Sequence, residues 1–319
     1  MRSACINTLF ELAQNDPRIV LIVGDLGFGV VTRFIEELPQ QFVNAGVAEQ
    51  NMTGMAAGMA LSGKIALTYS IANFPTLRCL EQIRNDVCYH NANVKIIAVG
   101  GGMGYGSLGV SHHATEDIAI LRALPNMVVV APGDPVEARL ATKAVIEYDG
   151  PCYLRLGREG EQTVHQTVPD FQLGRSITLR DGNDLTLIST GGGLPDVMKA
   201  AEELAQEGLQ ARVISMPTVS PLDTEAVIKA AKETAAIFTI EEHSIVGGLG
   251  GAVAETLLES GTYPRYFKRI GLKNAFSSVV GDQSYLRSYY GLDASGIVSS
   301  VKTTIHNEII LIGAKAQHV

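Results

Sequence analysis

Runs of apolar residues alternate with amphipathic stretches along the first half of the chain. Residues 4–14 set Ile6, Leu9, Phe10 and Ala13 on one side at helical spacing, which predicts an amphipathic helix. Residues 19–23 are an unbroken apolar run, the pattern of a strand buried on both faces. The alternation then repeats. It predicts a strand over 41–46, a helix over 49–61, a strand over 64–69, a helix over 75–90 and a strand over 94–99. After a glycine-rich loop come a helix over 115–123, a strand over 127–130, a helix over 135–147 and a strand over 152–156. Such alternation predicts a parallel sheet with helices on both faces. Ligands of that architecture sit beyond the carboxyl ends of the strands. Asp25, Glu49, Tyr69 and the 100–112 loop are expected at that edge.

The stretch 159–183 is polar, carries Gly160, Pro169, Gly174 and Gly182, and reads as a crossing between two units. A second alternation follows, with a strand from Leu185, a helix over 195–207, a strand over 211–214, a helix over 224–232 and a strand over 236–240. The expected fold class is α/β, with two parallel-sheet domains over residues 1–160 and 184–319 and a linker over 161–183.

Charge narrows the partners. Among 319 residues, 25 lysines and arginines face 33 acids, and the net charge of −8 disfavours nucleic acid or an anionic membrane as a bulk partner. No apolar run approaches the roughly 20 residues of a membrane helix, and the first residues lack a signal-peptide core. Cys5, Cys79, Cys88 and Cys152 show neither a Cys-x-x-Cys pair nor zinc spacing, so reduced thiols in the cytoplasm are expected.

The chemistry concentrates at residues 44–52. Glu49 stands where a short strand turns into a helix lined with Gly54, Ala56, Ala57, Gly58 and Ala60. An acid held there is poorly hydrated, the condition under which a carboxylate exchanges protons with a heterocycle. The alternative is a solvated acid favoured by the helix dipole. Residues 104–109 match Gly-x-Gly-x-x-Gly, but they follow the fourth strand and no helix opens at the motif, which argues against a dinucleotide fingerprint. The glycines instead permit a wide loop against a ligand, ending at His112 and His113.

Residues 47–50, 81–86, 111–118 and 153–158 together resemble the C-terminal part of the transketolase family, in family order and at family spacing. Split transketolases carry this part as a separate subunit. The resemblance implies thiamine diphosphate as coenzyme and Glu49 as the acid that hydrogen-bonds its aminopyrimidine. It places Asp25, Phe74 and Ile71 beside the coenzyme, His112 in proton transfer, and Arg2 and Arg158 on a substrate phosphate. Gly100 and Leu108 replace a His and an Asp of the family pattern. They form, with His113, the expected substrate pocket, so a non-standard sugar is expected. No Gly-Asp-Gly motif occurs. The diphosphate and its Mg2+ or Ca2+ are therefore expected on a partner N-terminal subunit, in an α2β2 assembly, with no metal ligand in this chain. The implied reaction moves a two-carbon ketol unit from a ketose to an aldehyde. Alternatives are a deoxyxylulose-phosphate-synthase-like subunit, a β subunit of a 2-oxoacid dehydrogenase, and a non-catalytic regulatory partner.

Overall fold

The computed structural model describes residues 1–316. The apolar run of β1 (Ile19–Val23) is buried along its whole length. It pairs in parallel with β2 (Phe42–Asn44) on one side and β3 (Ile65–Ile71) on the other. The sheet continues through β4 (Val94–Val99), β5 (Val128–Val130) and β6 (Cys152–Leu156), all parallel. Helices α1 (Arg2–Ala13) and α6 (Pro135–Glu147) cover one face, and α3 (Glu49–Leu61) and α5 (Asp117–Arg122) belong to the other. The start of α6 follows from its sequence: Asp134 accepts the backbone N–H of Glu137, and Pro135 needs no intrahelical donor.

Several expectations change. The helix predicted over 75–90 is three pieces: a 3-10 turn at Leu77–Cys79, α4 (Leu80–Gln82) and a π-turn at Ile83–Cys88. Tyr69 lies inside β3 at 1% exposure, not at the ligand edge, because the strand runs on to Ile71. Of the small residues of α3, Ala56 and Ala57 face the core, whereas Gly54 and Gly58 lie on the exposed side. The short helix α2 (Thr32–Glu37) was not foreseen.

The second sheet holds β7 (Ile177–Arg180), β8 (Leu185–Thr190), β9 (Ala211–Ser215), β11 (Ala236–Ser244) and β12 (Tyr266–Leu272), in the order β12-β11-β8-β9-β7. β7 falls inside the stretch expected as linker and pairs antiparallel with β9. Helices α7 (Leu194–Gln206), α8 (Thr224–Glu233), α9 (Leu249–Glu259), α10 (Gln283–Tyr289) and α11 (Ala294–Ala316) complete the unit. Positions 317–319 of the expected second domain lie outside the described residues. β10 (Thr218–Ser220) crosses over and pairs antiparallel with β5, becoming the seventh strand of the first sheet.

A buried polar cluster joins the two units. Arg155 on β6 donates to Asp117 Oδ2 at 2.7 Å, to the Ala114 carbonyl at 2.8 Å and to the Glu242 carbonyl at 3.1 Å. Tyr153 donates to the same Asp117 oxygen at 2.5 Å; burial, and then the Asp117 charge, push this phenol well up. Glu242 accepts from the Met103 N–H at 2.5 Å, from Gln283, and from Arg287 Nε at 2.5 Å. The backbone of Gly102 passes so close to Glu242 that a Cβ there would lie 2.5 Å from Oε1. Glu242 of the second unit thus fixes the glycine loop of the first.

Candidate active site

The carboxyl ends of β1, β2, β3 and β4 form one edge, and most of the sequence-predicted residues stand there. Glu49 opens α3 with its side chain only 3% exposed. It lies over Gly24, where a Cβ would come within 3.6 Å of both Glu49 Cγ and Ser70 Oγ. Ser70 Oγ is buried and has no hydrogen-bond partner in the chain. Glu49 Oε2 accepts from Arg78 Nη1 at 2.7 Å, and the guanidinium carbon of Arg78 stands 4.8 Å from the centre of the Phe74 ring. Phe74 meets His112 edge-on with ring centres 5.1 Å apart.

His112 is oriented by its neighbours. Ser111 Oγ lies 3.0 Å from His112 Nδ1, and Asn73 donates to the Ser111 carbonyl at 2.8 Å. Beyond His112, 6.4 Å between ring centres, is Tyr105, and Arg158 covers Tyr105 at 5.0 Å. Burial pushes the Tyr105 hydroxyl up, against the pull of Arg2 and Arg158. Arg2 and Arg158 converge on one carboxylate, with Arg2 Nη2 at 3.1 Å and Arg158 Nε at 3.6 Å from Glu159. Beside them is a cavity of about 170 Å3 lined by Gly104, Gly106, Ser107, Arg158, Glu159, Asp282 and Gln283. Glu49, Arg78, Phe74, His112, Tyr105, Arg158, Glu159 and Arg2 therefore form one continuous strip.

The remaining predicted residues fall on or beside it. Asp25 is exposed and left-handed at φ 54°, clamped by Asn44, which donates to Asp25 Oδ1 at 3.0 Å and accepts from its N–H at 3.2 Å. Ile71 ends β3, and its carbonyl accepts from the Phe74 N–H, setting the turn that presents the ring. Gly100 has φ 79°, and a Cβ there would lie 2.2 Å from the Tyr105 ring. The Tyr105 ring thus fills the space that a larger residue at 100 would need. Leu108 is 53% exposed on the 3-10 turn Gly106–Leu108. The glycine motif opens no long helix. His113 is buried beneath this loop with Nε2 3.4 Å from the Gly106 carbonyl, apart from the strip.

Sequence reasoning missed Arg78, Tyr105 and Glu159. Glu159 was legible as the neighbour of Arg158, and Arg78 as a cation shortly after Phe74, but nothing in spacing aimed either side chain inward. Among the described residues, no three His, Cys, Asp or Glu side chains stand together as a metal site, and no helix is long and apolar enough to cross a membrane.

Residues 1–161 match the transketolase pyrimidine-binding domain, and residues 174–297 match the transketolase C-terminal domain. The chain is a member of the transketolase family. One of the two subunits of the apulose-4-phosphate transketolase of Phocaeicola vulgatus is 42% identical over 93% of this chain and 94% of its own length. A 6-deoxy-6-sulfo-D-fructose transketolase subunit of Clostridium sp. (strain MSTE9) is 38% identical over 93% of this chain and 92% of its own. Among solved structures, a split-gene transketolase crystallised as an inactive β4 tetramer superposes with a TM-score of 0.85 at 39% identity, covering 95% of this chain and 97% of that one.

Transketolase-family domains imply dependence on thiamine diphosphate. The residues here fit the aminopyrimidine end of that coenzyme. A buried acid supplies an acceptor, an unpartnered Ser70 hydroxyl lies beside it, and Phe74 offers a flat apolar face.

Proposed function

We propose that this chain is the C-terminal subunit of a two-chain, thiamine-diphosphate-dependent transketolase. It moves a two-carbon ketol unit from a ketose to an aldehyde acceptor in the cytoplasm. The observation that carries the reading is the strip from Glu49 through Phe74 and His112 to Arg158 and Arg2, which sets a buried acid and paired arginines at opposite ends of one edge. In this reading, residues 1–160 face the coenzyme, 161–183 connect, and the unit from 184 braces the glycine loop through Glu242.

When bound, the coenzyme supplies the nucleophile and electron sink for carbon–carbon cleavage. The chain's own residues do the rest. Glu49 accepts a hydrogen bond from the pyrimidine ring and holds its tautomer. Ile71 and Phe74 line the ring, and Asp25 stands at the rim. His112, with Nδ1 beside Ser111 Oγ, uses its other nitrogen to carry a proton to or from substrate oxygen. Arg2 and Arg158 are planar, permanently charged forks suited to an anionic sugar terminus. Gly100 and Leu108 offer the substrate no polar side chain, and His113 supports the loop from below. A pocket so stripped of hydroxyl readers favours a non-standard sugar, as do the substrates of the two relatives. The partner subunit holds the diphosphate with Mg2+ or Ca2+, in an α2β2 assembly.

The test is Glu49→Gln, reconstituted with the partner chain. Assembly should persist and coenzyme-dependent ketol transfer should fall by about a hundredfold or more. Undiminished transfer would refute the role.

A further inference from the structure

Glu49 and Phe74 bound a slot, and Arg78 fills it. Arg78 Nη1 donates to Glu49 Oε2 at 2.7 Å, while its guanidinium carbon stands 4.8 Å from the centre of the Phe74 ring. A guanidinium is flat, delocalised and carries N–H donors along its edge. It offers the acid a donor and the aromatic ring a planar face. An aminopyrimidine with hydrogen on its ring nitrogen offers the same two things.

The partners differ in freedom. Glu49 is 3% exposed and Arg78 is 47% exposed. Gln50 Nε2 donates to the Arg78 carbonyl at 3.0 Å, so the backbone at 78 is tied down while the long side chain can swing toward water. A carboxylate as buried as Glu49 is unfavourable without a partner, so the empty slot needs a cation and a loaded one does not.

We propose that Arg78 is the resident counter-ion of the unloaded coenzyme site, holding Glu49 in position until the aminopyrimidine displaces the guanidinium outward. The inference rests on the coenzyme reading of Glu49 above. Coenzyme binding is then an exchange at one carboxylate: the Arg78 hydrogen bond breaks as the pyrimidine hydrogen bond forms. Arg78 weakens coenzyme affinity and keeps the unloaded pocket in shape.

The experiment is calorimetric titration of the reconstituted two-chain complex with thiamine diphosphate and Mg2+. Four proteins are compared: the natural pair, Arg78→Gln, Glu49→Gln, and both substitutions together. Arg78→Gln should bind the coenzyme about tenfold more tightly, the worth of one charge-assisted hydrogen bond no longer broken. That gain should vanish in the Glu49→Gln background, because the effect acts through the acid. Equal or weaker binding by Arg78→Gln would overturn the proposal. So would a gain that survives Glu49→Gln, since it would mark simple repulsion between cations. Arg78→Lys keeps the charge without the flat fork, should fall between the two, and serves if the Gln variant fails to fold. A natural pair that takes up no coenzyme would sink the coenzyme reading itself, an outcome distinct from unchanged affinity in Arg78→Gln.

Discussion

Two ion pairs of this protein share a 2.7 Å contact and differ in everything around it. In the seam between the units, Arg155 and Asp117 are 5% and 1% exposed, and Arg155 also serves two backbone carbonyls. At the coenzyme edge, Glu49 is as deeply buried, but Arg78 is half in water and makes one hydrogen bond and one ring contact. The first pair cannot open without stranding charge on both sides. The second strands charge only if nothing replaces Arg78. Burial of both partners makes a permanent joint, and burial of one makes an exchangeable one. The Arg2, Arg158 and Glu159 group lies further along this scale, with Glu159 60% exposed.

The comparison can be broken at several points. Asp117→Asn should cost the most, about 3–5 kcal/mol in denaturant unfolding, because Arg155 keeps a buried charge without its counter-ion. A cost under about 1 kcal/mol would show that the seam tolerates opening. Arg78→Gln should destabilise the unloaded chain by about 1–3 kcal/mol, and saturating coenzyme in the two-chain complex should erase most of that difference in melting temperature.

His165 supplies a smaller test from a pair with both partners buried. Its Nε2 lies 2.8 Å from Glu137 Oε1. Burial lowers its proton affinity, but the hydrogen bond and charge of Glu137 outweigh that and raise it above the ordinary value of 6.5. Protonated His165 therefore stabilises the fold fully below about pH 6.5. The contribution is lost as pH rises through the raised value of the folded state. His165→Gln should flatten the stability profile across that window, as unfolding measured at stepped pH will show. Glu159→Gln should matter least to stability, within about 0.5 kcal/mol. It should nevertheless lower KM for a phosphorylated ketose several-fold, because it frees Arg2 and Arg158 from an internal anion.

The first sheet was legible because its strands are continuous apolar runs: residues 94–99 and 152–156 form β4 and β6 as expected. The second unit was legible only where the pattern was strong. β7 and β10 escaped because four and three residues, in polar or proline-flanked surroundings, carry no periodic signal. Glu49, Phe74 and His112 were found through motifs, and the fold brings them together. The inward turn of Arg78 was invisible because the helix expected there is broken into a 3-10 turn, a short α-turn and a π-turn. The reading of Gly100 and Leu108 as lost hydrogen-bonding groups could not anticipate Tyr105, whose ring owes its place to a backbone conformation that only glycine adopts readily.

β10 carries a consequence for anyone dividing this protein. The outermost rung of the first sheet is donated by residues 218–220, past the point where the second sheet has begun. A fragment cut near residue 160 would leave the hydrogen-bonding groups of Val129 and Val130 bare along an apolar rim, an invitation to stack with its own kind. Exchange of coenzyme-facing halves between related chains would therefore succeed only if the seam is moved beyond Ser220.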